Sequence, residues 1–358
     1  MNASRKFTRR LTAIALMTIA ASGFLLRAEA QVNSTTVQQP TLRYIESNGI
    51  RLRIAEMGEG PLVLFVHGWP ESWYSWRHQL PALAAAGYRA VAPDMRGYGK
   101  SDKPAAVESY DIHQVTADLV GILDALGEKT AILVGHDWGS IVTWHAMLLH
   151  AQRFTALVAM SVPYNGRGPQ SLVQGLQRTL GDNFYYILYF QEPGVAEQEF
   201  DADPRAILSR LYLSPDSPRE APQITDPKRA AGGWIPRMGA PKGLPSWLTQ
   251  AELDYYVTEF KEAGFRGGIN YYRNFHRNWE TTPQLADAKI TAPVLFIAGD
   301  KDTVIRRASA EALTASMQKA VPGLREVKLI PNTGHWVQQE RPAETNAAIL
   351  EFLRGIAK

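Results

Sequence analysis

Ten residues, Ala131-Ile132-Leu133-Val134-Gly135-His136-Asp137-Trp138-Gly139-Ser140, restrict the fold of this chain more than any other stretch. Four apolar residues with strand character run into a small-x-acid-x-small turn, and a helical pattern from Ser140 to Leu149 follows. So tight a turn crowds the backbone, and Gly135 and Gly139 let the middle residue stand clear at the carboxyl end of the strand. That residue is Asp137. A serine here would suggest acyl transfer, whereas a carboxylate can attack a saturated carbon and form an ester with it. The competing reading is that Asp137 only caps the helix that follows.

The flanking sequence supplies the rest of a sheet. Thr41 to Ser47 and Ile50 to Glu56 alternate apolar with polar residues around Asn48-Gly49, a strong hairpin signal. Leu62 to Val66 is a continuous apolar run, as in a strand buried on both faces. It leads into His67-Gly68-Trp69-Pro70 and a helix expected from near Glu71. Strand patterns at Tyr88 to Pro93 and Ala156 to Met160 alternate with a helical pattern at Ser109 to Leu126, which implies a mostly parallel, doubly wound α/β sheet. From Tyr164 to Thr282 the chain is aromatic-rich, proline-punctuated and helical in pattern, with no strong strand. The α/β pattern resumes with a strand at Pro293 to Ala298, a helix from about Arg306 to Lys319, a strand at Glu326 to Ile330 and a helix at Ala343 to Arg354. The expected organisation is a leader at 1–30, a first core part at 31–163, a helical cap at 164–282 and a second core part at 283–358.

In the leader, Arg5, Lys6, Arg9 and Arg10 precede an apolar run from Leu11 to Leu26, and Ala28-Glu29-Ala30 offers a small-residue cleavage site. This pattern reads as an export signal cut after Ala30, with a short membrane anchor as the competing view. Arg9-Arg10 would also suit twin-arginine export. Of the 38 Lys+Arg and 35 Asp+Glu in the chain, five basic residues and one Glu belong to this leader, which leaves 33 against 34. A near-neutral remainder gives no electrostatic case for nucleic acid or an anionic membrane surface. With no cysteine, thiolate nucleophiles and zinc-thiolate sites are excluded.

Two more residues complete a catalytic pattern. Asp302 follows the strand ending at Ala298, and His335, in Gly334-His335-Trp336, follows the strand ending at Ile330. Nucleophile, acid and histidine in that order, each beyond the carboxyl end of a strand, would gather on one rim of the sheet. The plainer alternatives are a turn aspartate at 302 and a packed imidazole at 335. With His67-Gly68-Trp69-Pro70 and Arg96-Gly97-Tyr98-Gly99-Lys100-Ser101, this constellation resembles the epoxide hydrolases of the α/β-hydrolase fold. Phe184 to Gly194, Gly264 to Gly267 and Asn270 to Asn274 are similar to the lid segments of the soluble-type members.

The resemblance implies that Tyr186 and Tyr272 bind the epoxide oxygen, with Tyr185, Tyr189 and Tyr271 as rivals one register away. It implies a nucleophile at Asp137, water activation by His335 with Asp302, and an oxyanion site at the backbone N–H groups of Trp69 and Trp138. His67, Trp138, Phe184 and Trp336 are expected around the substrate, and Trp69-Pro70 as a cis bond. The implied partners are a small-molecule epoxide and water. No cofactor is implied, because carboxylate, imidazole and phenols supply the chemistry. A hydrolytic dehalogenase would use the same Asp137, Asp302 and His335, and a binding protein on a hydrolase scaffold is a further alternative.

Overall fold

In the computed structural model, which describes residues 39–356, an eight-stranded sheet forms the centre of the fold. Its strands are β1 (Thr41–Ser47), β2 (Ile50–Met57), β3 (Leu62–Val66), β4 (Arg89–Pro93), β5 (Ala131–His136), β6 (Phe154–Met160), β7 (Val294–Gly299) and β8 (Leu324–Ile330). They lie in the order β1-β2-β4-β3-β5-β6-β7-β8. β1 and β2 pair antiparallel around the Asn48-Gly49 turn, where both residues have positive φ, and β2 pairs antiparallel with β4. The remaining neighbours are parallel. The expected leader at 1–30 lies outside the described residues.

Alternation along β3 explains why its sequence is apolar throughout. Leu62, Leu64 and Val66 enter one hydrophobic cluster, and Val63 and Phe65 enter a second on the opposite face. All five are buried, as a strand covered by helices on both sides requires. Each such side chain contributes roughly 1.5–3 kcal/mol of burial free energy. This double cover makes the centre of the sheet rigid and leaves the strand ends as the place for a site.

Two helices begin later than the sequence suggests. Near Glu71 the chain forms a short 3-10 turn, Trp73–Trp76, and the helix begins only at Gln79. The Glu71 carboxylate turns back to accept the Gly68 N–H, and Ser72 caps the short turn by accepting the Tyr74 N–H. The helix expected from about Arg306 spans Ala310–Met317, with Ser309 as its cap, because Arg306 and Arg307 both adopt positive φ.

Between β6 and β7 the chain forms the helices Leu172–Leu180, Tyr186–Tyr189, Val195–Ala202, Pro204–Leu211, Gln250–Ala263, Arg266–Arg273 and Phe275–Thr281. They are tied to the sheet by buried polar contacts. Arg53 on β2 pairs with Asp94 after β4 and with Glu259 of Gln250–Ala263, all three side chains nearly inaccessible. The Tyr271 hydroxyl donates to the Arg96 carbonyl at 3.0 Å, while the Arg96 guanidinium is held by Asp118.

Candidate active site

Asp137 sits between β5 and the helix Trp138–Leu149 with φ 52° and ψ −118°, a conformation costing a non-glycine residue roughly 1–3 kcal/mol. Two glycines make the turn possible. A Cβ on Gly139 would overlap the Val66 carbonyl oxygen, so only glycine lets the helix start this close to β3. A Cβ on Gly68 would overlap the Asp137 side chain itself. Although Asp137 occupies the cap position, its side chain makes no capping hydrogen bond, so the helix-cap reading fails. Instead Oδ1 accepts the Trp69 N–H at 2.9 Å, and Trp69-Pro70 is cis. Trp138 is the first residue of the helix, where backbone N–H groups have no intrahelical acceptor.

The other carboxylate oxygen of Asp137, Oδ2, lies 3.5 Å from His335 Nε2, and the opposite ring nitrogen, Nδ1, lies 3.0 Å from Asp302 Oδ2. Asp302 is fully buried, and its Oδ1 accepts the Val304 N–H at 2.9 Å. Burial pushes the Asp302 carboxyl up, but the charge and hydrogen bond of His335 outweigh it and hold the group below its ordinary value. His335 responds in the opposite sense. Burial pulls it down, yet the charge of Asp302 and the bonds to Asp137 and Asp302 raise it well above an ordinary imidazole. In the resting protein it is therefore an imidazolium between two carboxylates.

Behind this row lies a buried pair that the sequence reading did not single out. His136 Nδ1 meets Glu71 Oε2 at 2.8 Å, and Nε2 meets the His335 carbonyl oxygen at 2.8 Å. Both ring nitrogens are thus engaged, one by a carboxylate and one by a backbone carbonyl, which fixes the plane of the ring. Burial would raise Glu71, but the charge and hydrogen bond of His136 hold it down, at about 2. Gln338 donates to the other Glu71 oxygen, and Ser161 Oγ donates to the same His335 carbonyl. The nucleophile turn, the His67-Gly68 loop and the His335 loop are thereby clamped together. The available signal was a glutamate one residue past Gly-Trp-Pro and a histidine just before the nucleophile.

Tyr186 opens the helix Tyr186–Tyr189, and Tyr272 lies on Arg266–Arg273; their rings meet edge to face at 5.8 Å. Burial raises both phenols well above their ordinary value. For Tyr186 the neighbouring Tyr185 and Asp137 add to it, and for Tyr272 Asp137 and Tyr186 do. Both therefore remain protonated donors at any physiological pH. The rivals are occupied elsewhere. Tyr271 bonds the Arg96 carbonyl, Tyr189 donates to Glu199 at 2.9 Å, and Tyr185 borders a separate surface hollow with Ser171 and Leu172.

One cavity of about 440 Å³ is lined by Asp137, His335, Tyr186, Tyr272, Trp69 and Trp336, together with Trp234, Leu211 and Leu213. Asp302 backs His335 from below. Trp138 contributes its indole behind Tyr272, with ring centroids 5.1 Å apart. Three expected lining residues are corrected, and Trp138, packed behind Tyr272 and against Phe275 and absent from the lining, is the first of them. His67 does not line the cavity, because Nδ1 bonds the Gly68 carbonyl at 2.8 Å and Nε2 accepts the Met95 N–H at 3.0 Å, committing both nitrogens to loop structure. Phe184 is also absent from the lining and packs against Tyr189 and under the Arg237 guanidinium.

A nucleophile turn after β5, an acid after β7 and a histidine after β8 define a hydrolase of the α/β-hydrolase fold, and residues 61–342 match the family described as alpha/beta hydrolase fold. The chain is similar to "Epoxide hydrolase A" of Mycobacterium tuberculosis, 49% identical over 322 residues that cover 88% of this chain and 98% of the relative. It is 42% identical to "Epoxide hydrolase 2" of Siraitia grosvenorii, covering 87% of this chain and 97% of that one. Among solved structures, the crystal structure of epoxide hydrolase A from Mycobacterium thermoresistibile superposes with a TM-score of 0.79 at 47% identity, covering 88% of this chain and 98% of the other. The chain belongs to the epoxide hydrolases of the α/β-hydrolase fold.

Proposed function

We propose that this protein opens an epoxide to a vicinal diol through an ester on Asp137. The observation that carries the reading is that one cavity is lined by a carboxylate, an imidazole backed by buried Asp302, and two protonated phenols. Asp137 Oδ2 attacks an oxirane carbon, the carbon–oxygen bond of the ring breaks, and the leaving oxygen takes hydrogen bonds from Tyr186 and Tyr272 and a proton from one of them. Oδ1, already bonded to the Trp69 N–H, becomes the ester carbonyl oxygen.

In the second half the imidazolium first gives its proton through solvent to the phenolate, and the neutral His335 Nε2 then takes a proton from water, whose oxygen adds to the ester carbonyl carbon. The oxyanion is held by the N–H groups of Trp69 and Trp138. Collapse expels the diol oxygen, which takes the proton from His335, and the Asp137 carboxylic acid returns its proton to His335, restoring the resting pair. The sum is epoxide plus water to diol. The same division of labour assigns residues 164–282 to the cap that supplies the phenols, above a core formed by 31–163 and 283–358.

Replacing both Tyr186 and Tyr272 by Phe tests the assignment of the leaving group. Loss of one donor should slow alkylation roughly ten- to a thousandfold, and loss of both should slow it further than either single change. A halide leaves without a proton, so a dehalogenase would tolerate the double change. The measurement is single-turnover alkylation with an epoxide, and equal rates for parent and double variant would remove the tyrosines from the mechanism.

The same reading extends to the leader: residues 1–30 direct export to the periplasm or beyond, and the mature protein begins near Gln31. The support is the basic segment, the apolar run and Ala28-Glu29-Ala30. N-terminal sequencing of protein recovered outside the cytoplasm should start near Gln31, and retention of Leu11 to Leu26 would favour an anchor instead.

A further inference from the structure

We propose that Trp234, clamped by Glu199, is the positioning residue for Tyr186, so that this pair governs formation of the Asp137 ester and not its hydrolysis. The inference rests on the reaction proposed above and adds two residues to it.

Trp234 reaches the cavity from the segment Gly232-Gly233-Trp234-Ile235. Its ring lies nearly parallel to that of Tyr186, at 5.0 Å between centroids and 16° between planes. Every other aromatic contact of Tyr186 is oblique: Tyr185 at 45°, Phe190 at 78° and Tyr272 at 79°. Edge contacts leave a ring free to swing about its side-chain torsions, while a face-on neighbour of this size fixes its plane. Tyr186 needs such a support because it begins a helix of only four residues, too short to be stable by itself.

Glu199, in the helix Val195–Ala202, holds Trp234 in place. Oε2 accepts the Trp234 N–H at 2.9 Å and Oε1 accepts the Ile235 N–H at 2.9 Å. Oε2 also accepts the Tyr189 hydroxyl at 2.9 Å. Tyr189 ends the short helix that Tyr186 begins, so one carboxylate fixes both sides of the stack. A Cβ on Gly233 would overlap the Glu199 carboxylate, so glycine at this position is what permits the approach. Three donors on one carboxylate, from two separate segments, form a rigid clamp.

Step selectivity follows from what Tyr186 does. Its hydroxyl is needed as the ring oxygen leaves, where a misplacement of about 1 Å can cost on the order of a hundredfold. Hydrolysis of the ester uses His335, Asp302 and the Trp69 N–H, none of which Glu199 touches. The Trp234 ring also lies parallel to that of Trp69 at 5.9 Å, but Trp69 keeps Phe190, Phe200 and Tyr272 as neighbours when Trp234 is shortened.

The test is single-turnover kinetics of the full mature chain with styrene oxide, resolving ester formation from ester decay. Trp234→Leu should slow ester formation about 10- to 100-fold and leave decay within about twofold, and Trp234→Phe should restore most of the loss. Glu199→Gln should show the same selectivity to a smaller degree. Equal losses in both steps would mean a merely structural role and would overturn the proposal, as would unchanged ester formation. If the leucine variant does not fold, Trp234→Phe and Glu199→Gln are combined with Tyr186→Phe. With the phenol gone they should lower ester formation no further, and an additive loss would sink the idea. A parent protein that forms no ester with the epoxide fails at the outset, and the proposed reaction falls together with this inference.

Discussion

Asp137→Asn should fold as the parent does and form no ester, with turnover lowered roughly 10⁴-fold or more. A neutral amide oxygen is a poor nucleophile toward a saturated carbon, and among the described residues no other carboxylate lines the cavity. The fold should survive because asparagine tolerates the positive φ of this turn as well as aspartate does, and its side-chain oxygen can still accept the Trp69 N–H. The turn does not depend on the charge. What fixes it is the close approach of Gly139 and Gly68 to their neighbours. Thermal unfolding should therefore match the parent closely while intact-protein mass spectrometry with an epoxide detects no substrate-sized adduct. An adduct on the asparagine variant at the parental rate would move the nucleophile to another residue.

The same glycines explain why the core is legible in the sequence. Strand periodicity and positional glycines are local properties, so β1 to β8 and the Asp137 turn could be read from short windows of sequence. Asp302 and His335 could be placed because each follows a strand, and parallel strands deliver their carboxyl ends to one rim. His67 misled for the same reason. It too follows a strand, but both its nitrogens are taken by backbone groups, a fact that depends on the path of the loop at Met95. Phe184 is a case of register in the cap. It lies two positions before Tyr186, with Tyr185 between them, and over so short a helix nothing in the sequence tells which aromatic turns inward.

Long-range polar pairs were the least legible layer. Glu71 meets His136 and Gln338 across the fold, and Glu199 meets Trp234 in the cap, with no periodic pattern to announce either. Single buried carboxylates of this kind decide where loops and short helices stop. Glu71 joins the Trp69 loop to the carbonyl of His335 through His136. The clamp connects the Trp69 loop to the His335 loop, so the two groups to which the proposed reaction assigns ester hydrolysis are held by the same buried pair.

That coupling gives the second large effect a definite form. His335→Gln should still be alkylated, since Asp137, Tyr186 and Tyr272 are intact, but ester hydrolysis should slow by roughly 10²- to 10⁴-fold, so the ester accumulates. The resting protein carries an imidazolium at 335 because two carboxylates flank it. Esterification removes the charge of Asp137, and with it one of the causes that raise the imidazole, so the value falls and His335 becomes a base at the step that needs one. The sign of the pH dependence follows. Below the His335 value in the ester the ring is protonated and cannot accept from water, so ester decay should slow as pH falls, while alkylation needs no deprotonation of His335. In the parent protein, lowering the pH should therefore raise the fraction of enzyme trapped as ester. In His335→Gln that pH dependence of ester decay should vanish. The measurement is ester fraction by intact mass after rapid quenching across a pH series. A glutamine variant whose decay keeps the parental pH profile would assign the base to another group.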